Sequence, residues 1–153
     1  MKVFRSELAL VSAILPFATA LGWANVQNNC PETIYVYSVG SSAGTQQTIT
    51  TGNCYTEQYH NDPTCGGIAI KICLSDGCLW TGAPQTDFSY TLQGDTVWYD
   101  MSDVYGDPFK GKRMMVTATN PKCPHIEWSN GVNPGGSQVH ECSSDADITL
   151  SLC

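Results

Sequence analysis

Chemistry in this sequence would have to come from sulfur, carboxylates, histidines or aromatic rings, and their spacing decides what each can do. The eight cysteines are Cys30, Cys54, Cys65, Cys73, Cys78, Cys123, Cys142 and Cys153. No two form a Cys-x-x-Cys pair, and His60, His125 and His140 keep no ligand-like spacing to them, so a zinc site is not expected. An even count in a short chain reads instead as four disulfides of an oxidising compartment. The histidines sit in loop-like surroundings and suggest no nucleophile–base pair. Carboxylates are plentiful, but glycoside hydrolysis needs two of them about 5–9.5 Å apart with one pKa raised. Most acids of an acidic extracellular chain merely keep it solvated.

Aromatic side chains are the better binding candidates, because exposed rings stack on sugar faces and anchor protein interfaces. Trp80 and Trp128 lie beside turn signals, and Tyr105 and Phe109 flank Gly106-Asp107-Pro108. These four are the expected binding residues, whereas Trp98 and Tyr90 read as core. Lys110, Lys112 and Arg113 read as a solvated loop entering a strand at Met114, in preference to a docking patch or a processing site.

The start of the chain reads as an export signal. Lys2 and Arg5 precede an apolar run from Leu8 to Phe17, and Ala18-Thr19-Ala20 offers a small-x-small cleavage site. The run is shorter than the roughly twenty apolar residues that a membrane span requires. The expected organisation is a leader over residues 1–20 and one domain over 21–153. With Lys2, Arg5 and Glu7 gone, 5 basic residues face 13 acidic ones, a net of −8. That balance disfavours nucleic acid, whose binding depends on Lys and Arg at phosphates.

Positioning falls to strands. Thr33–Val39 is β-branched and aromatic, and Ile68, Ile70 and Ile72 share a face opposite Lys71. Phe88, Tyr90 and Leu92 alternate with polar neighbours, as do Met114, Val116 and Ala118, and Ile148, Leu150 and Leu152. Period-two runs bounded by Gly, Pro, Asn and Asp are half-buried strands. Gln93-Gly94-Asp95 reads as a hairpin turn, and a short helix is expected near Met101 to Tyr105. The fold class is therefore all-β, a sandwich or barrel. Cys73 and Cys78 flank an Asp-Gly turn and form a natural local staple, but spacing leaves about a hundred connectivities open for the whole set.

Several strings together resemble a known family. Asn28-Asn29-Cys30-Pro31 and Trp98-Tyr99-Asp100-Met101-Ser102 resemble segments of thaumatin-like proteins. The nearer resemblance is to the fungal Blastomyces yeast-phase-specific, or antigenic thaumatin-like, family. Asp62-Pro63-Thr64, Gly66 to Lys71, Gly82-Ala83-Pro84-Gln85, Gly106-Asp107-Pro108-Phe109 and Pro134 to Cys142 carry it. The resemblance implies a thaumatin-like β-sandwich without the Cys-rich second lobe, its first cysteine tied to its last. That pairs Cys30 with Cys153, and Cys54–Cys65, Cys73–Cys78 and Cys123–Cys142 complete the expected set.

Plant thaumatin-like proteins often carry an acidic cleft linked to β-1,3-glucan. The family's Asp in the aromatic-Tyr-Asp-x-Ser string is Asp100 here, its next Asp is replaced by Tyr105, and Asp87 and Asp103 are the nearest partners. Asp100, Asp87 and Asp103 are thus the catalytic candidates, in an incomplete set. The expected function is a secreted, non-catalytic binding or effector-type protein at a cell wall or host interface. The alternatives are a weak β-1,3-glucan-binding protein or glucanase, and a structural wall antigen. β-Glucan or an extracellular host protein is the expected partner of a monomer, with no metal, cofactor, nucleic acid or membrane.

Overall fold

Alternation gives each strand two unlike faces, and burying the apolar one calls for a second layer. In the computed structural model, which describes residues 20–153, eleven strands supply both layers. They are β1 (Trp23–Asn28), β2 (Ile34–Val39), β3 (Gln47–Ile49), β4 (Cys54–Gln58), β5 (Gly67–Cys73) and β6 (Gln85–Gln93). β7 (Thr96–Val104), β8 (Met114–Ala118), β9 (Ile126–Trp128), β10 (His140–Ser143) and β11 (Ile148–Leu152) follow, and a short helix α1 (Cys78–Thr81) joins β5 to β6. Sheet A runs β4-β1-β11-β8-β9 and sheet B runs β10-β7-β6-β5-β2-β3. The expected leader lies almost wholly outside the described residues.

The core is the sum of the two inner faces. Ala24 and Val26, Met114 and Val116, and Ile148, Leu150 and Leu152 face inward from sheet A; Ile68, Ile70 and Ile72, Phe88 and Tyr90, and Val97, Tyr99 and Met101 do so from sheet B. β1 escapes a reading by β-propensity because Asn25, Gln27 and Asn28 make it look like loop. The sheet registers Asn25 against Thr149, and the buried Asn28 side chain donates to the carbonyls of Glu32 and Ile49, each at 2.9 Å. Asn28 also accepts from the Cys30 amide at 3.0 Å, so this buried amide is paid no desolvation penalty by an unmade bond.

β1 and β11 are parallel neighbours, so their C-terminal ends emerge side by side. Cys30 and Cys153 follow those ends and are bonded, their Cα atoms 5.0 Å apart. Closing so long a loop contributes about 4–5 kcal/mol in the chain-entropy model, a large share of a typical ~5–15 kcal/mol domain stability. Cys123, in the loop between β8 and β9 of sheet A, bonds Cys142 on β10 of sheet B and ties the layers together. Cys73–Cys78 pins α1 to the end of β5.

Two expectations are corrected. Met101 to Val104 continue β7, where each pairs with β6, and the short helix forms at Cys78–Thr81 instead. The Cys54–Cys65 bridge is absent, and both are exposed free thiols. Cys54 pairs with Gln27 and so shares the outer face of sheet A, whereas Cys65 borders the outer face of sheet B. The packed core stands between those faces.

Candidate functional site

The outer face of sheet B is built in cross-strand rows. One row is Gly67, Thr91, Trp98 and Glu141; the next is Val39, Ala69, Ser89 and Asp100; a third is Tyr37, Lys71, Asp87 and Ser102. The first two rows place the smallest side chains on β5 and β6, so the face is hollow along its middle. Two open hollows of about 280 and 320 Å³ meet over Ser89, Tyr90 and Thr91 and form one trough. Trp98 and Val139 wall it on one side, and Val39, Gly40 and Cys65 on the other. Trp98 is 37% exposed and Val139 47%.

Asp62 holds the second wall in place. Its carboxylate accepts from the Cys65 amide at 2.9 Å, the Ser41 amide at 2.9 Å, the Ser41 hydroxyl at 2.8 Å and the Thr64 amide at 2.8 Å. Those donors, the Cys65 amide foremost, hold its pKa far below the usual carboxylate range. Gly40 is required beside it, because a Cβ there would sit 2.4 Å from an Asp62 oxygen.

The three candidate acids do not converge. Asp100 faces the trough, and burial, with the Asp87 charge second, raises its pKa. Asp87 lies on the same face one strand over, but it is ion-paired to Lys71 and its side chain is only 9% exposed. Asp103 falls on the opposite face of β7, where the Thr86 hydroxyl donates to it at 2.5 Å. Burial, with the neighbouring Asp107 carboxylate adding to it, pushes its pKa up to about 6.

The four aromatic candidates divide. Trp80 and Tyr105 are 76% and 72% exposed. Trp128 and Phe109 are buried in the core, which corrects their expected binding role. The Trp128 indole N–H donates to Gln138 Oε1 at 3.0 Å, so its polar edge is satisfied inside. Trp98, expected in the core, is instead on the trough; the alternation that buries Val97, Tyr99 and Met101 sends Trp98 and Asp100 outward and carried that signal. Lys112 and Arg113 pair with Glu32 and Glu127. The string Gly40-Ser41-Ser42-Ala43-Gly44 has the spacing of a nucleophile elbow. It joins two strands rather than a strand to a helix, so the elbow geometry is not formed. Among the described residues no cluster of three or more His, Cys, Asp or Glu side chains is arranged to hold a metal ion.

A family model described as Blastomyces yeast-phase-specific protein matches residues 11–153. The chain belongs to that family. Two curated relatives agree with the yeast-phase-specific assignment. The antigenic thaumatin-like protein of Arthroderma benhamiae is 30% identical over 95% of this chain and 80% of its own length. The secreted thaumatin-like protein calA of Emericella nidulans is 33% identical over 96% of this chain and 92% of its own. Among solved structures, the protein elicitor MoHrip2 from Magnaporthe oryzae superposes with a TM-score of 0.71 at 23% identity, covering 86% of this chain and 98% of that one. The thaumatin-like xylanase inhibitor TLXI superposes at 0.58 and 12% identity, covering 85% and 98%. The yeast-phase-specific chain therefore has a thaumatin-like β-sandwich, stapled by three disulfides.

Proposed function

We propose that this chain is a secreted, non-catalytic binding protein that holds an extended extracellular ligand along the trough of sheet B, at a fungal wall or a host surface. The observation that carries the reading is the trough itself, with a floor of Gly67, Ala69, Ser89 and Thr91 beside a half-exposed Trp98. An indole wall with hydroxyl and carboxylate groups on the floor suits a polysaccharide such as β-1,3-glucan, whose rings stack while their hydroxyls hydrogen-bond. The export signal expected from the sequence and the name of the relative called secreted support release from the cell, and the elicitor title of MoHrip2 is in keeping with action at a host.

Calorimetry with laminarihexaose tests the ligand. Saturable binding is expected, weakened about tenfold by Trp98→Ala. Absence of heat with this glycan, followed by silence across a glycan array, would sink the trough as a sugar site.

A second reading, a weak β-1,3-glucanase, is favoured by the raised pKa of Asp100 beside a charged Asp87. Against it, Asp87 is engaged by Lys71 and enclosed, which leaves Asp100 without an accessible second carboxylate. Release of reducing ends from laminarin that disappears in Asp100→Asn would establish this second reading in place of the first.

A further inference from the structure

Trp98 and Asp100 share the outer face of β7, two residues and so about 7 Å apart along the strand. Both line the same hollow of the trough, together with Ser89, Thr91 and Ser102. Thr91 is the cross-strand neighbour of Trp98, and Ser89 that of Asp100. One hydroxyl therefore stands beside the indole and another beside the carboxyl. The indole is exposed, and Asp100 is half-buried next to it.

Charge on this face is one-sided. Its three cross-strand rows hold Asp87, Asp100 and Glu141 against Lys71 alone. Lys71 is spent on Asp87, and the other ion pairs among the described residues are Lys112 with Glu32 and Arg113 with Glu127. Asp87 offers a ligand nothing, because one of its oxygens is held by Lys71 and the other is enclosed. Asp100 is the carboxyl that lines the trough, and it takes no part in any of those pairs. Burial and then the Asp87 charge push its pKa up, so the ionised carboxyl lacks a cation beside it. Glu141, exposed and directly across from Trp98 on β10, adds negative charge on the far side of the ring.

A neutral hexose would cover Asp100 and leave its charge unmatched, whereas an ammonium on the sugar would give it a charge-assisted hydrogen bond. We propose that the trough selects a cationic polysaccharide, a β-linked glucosamine polymer with free amino groups, stacking one pyranose on Trp98 while an ammonium of the polymer donates to Asp100. The assignment rests on the trough's being a glycan site and names the sugar. Ser89, Thr91 and Ser102 are placed to meet the ring hydroxyls, which a lysine or arginine side chain does not offer. The net charge of −7 over the full chain favours the approach of a polycation.

The test is calorimetry of the whole domain with three hexamers: β-1,4-linked glucosamine, its fully N-acetylated counterpart and laminarihexaose. The glucosamine hexamer should bind about tenfold more tightly than either neutral one. Added sodium chloride should weaken that hexamer and leave the neutral ones as they were. Asp100→Asn should abolish the preference for the free amine, and Trp98→Ala should weaken the glucosamine hexamer, with near-ultraviolet circular dichroism native in both. The N-acetyl and salt comparisons need no variant, so they decide the matter even if Asp100→Asn fails to fold. Equal affinity for all three hexamers, with Trp98→Ala weakening each, would overturn the choice of sugar and leave the trough standing as a glycan site. Glucosamine binding untouched by Trp98→Ala would be general attraction to an acidic surface, and hexalysine binding as tightly would make the ligand a basic peptide; either result overturns the proposal. Silence from all three hexamers would remove the choice of sugar, and an empty glycan array besides would remove the trough.

Discussion

The Tyr90 hydroxyl on β6 donates to Glu57 Oε1 on β4 at 2.9 Å, and the other oxygen of that carboxylate accepts from Tyr55 at 2.7 Å. Tyr90 belongs to sheet B and Glu57 to sheet A, so one carboxylate bolts the layers together across the rim of the core. The backbone of Tyr90 also forms part of the trough, which links this tie to the candidate site. Tyr90→Phe keeps the buried ring and removes the donor. It should lower the unfolding free energy by about 1.5–3 kcal/mol in urea denaturation, the range for a hydrogen bond to a charged group. An unchanged midpoint would show that the tie adds nothing to the packing.

Asp62 is expected to act on the trough from behind. Asp62→Ala removes the acceptor of four bonds and should speed amide exchange at Ser41, Thr64 and Cys65, and with them loosen the wall made by Gly40 and Cys65. Its lowered pKa means that the folded state favours the carboxylate. That stability is present above the ordinary aspartate range and is lost as pH falls through the folded pKa. Hydrogen exchange that leaves these amides as protected as before would refute the role.

Asp103 should behave with the opposite sign. Burial and Asp107 raise its pKa to about 6, so the folded state binds the proton more tightly than the unfolded chain. The associated stability is complete below the unfolded aspartate pKa near 4 and fades as pH rises through about 6. Asp103→Asn should flatten the dependence of the melting temperature on pH in that window, and a parallel pair of curves would exclude the assignment.

The cysteines give a direct count. Native protein should take up two equivalents of a maleimide, at Cys54 and Cys65, with the other six cysteines reacting only after reduction. Because local desolvation raises both thiol pKa values, with the Asp62 carboxylate adding to it at Cys65, labelling should be slow near neutral pH and quicken as the pH rises. Intact-mass measurement showing no uptake would mean that a fourth bridge forms.

The sequence by itself determined the all-β class, the inward faces of β5, β6, β8 and β11, and the staple at Cys73–Cys78, because alternation and turn chemistry are local. A side chain two residues on must share a face whatever the rest of the chain does. Resemblance to the yeast-phase-specific family supplied the closure of Cys30 on Cys153. Tertiary structure alone decided the rest. Trp128 and Phe109 look like loop aromatics until two sheets close over them, and Trp98 looks like core until the small residues of β5 and β6 leave its face open. Cys54 and Cys65 are partners in the pairing that the resemblance implies, yet register sends them to opposite outer faces. Which acids converge, and which rings meet water, depends on strands far apart in sequence, and no local pattern encodes their distance.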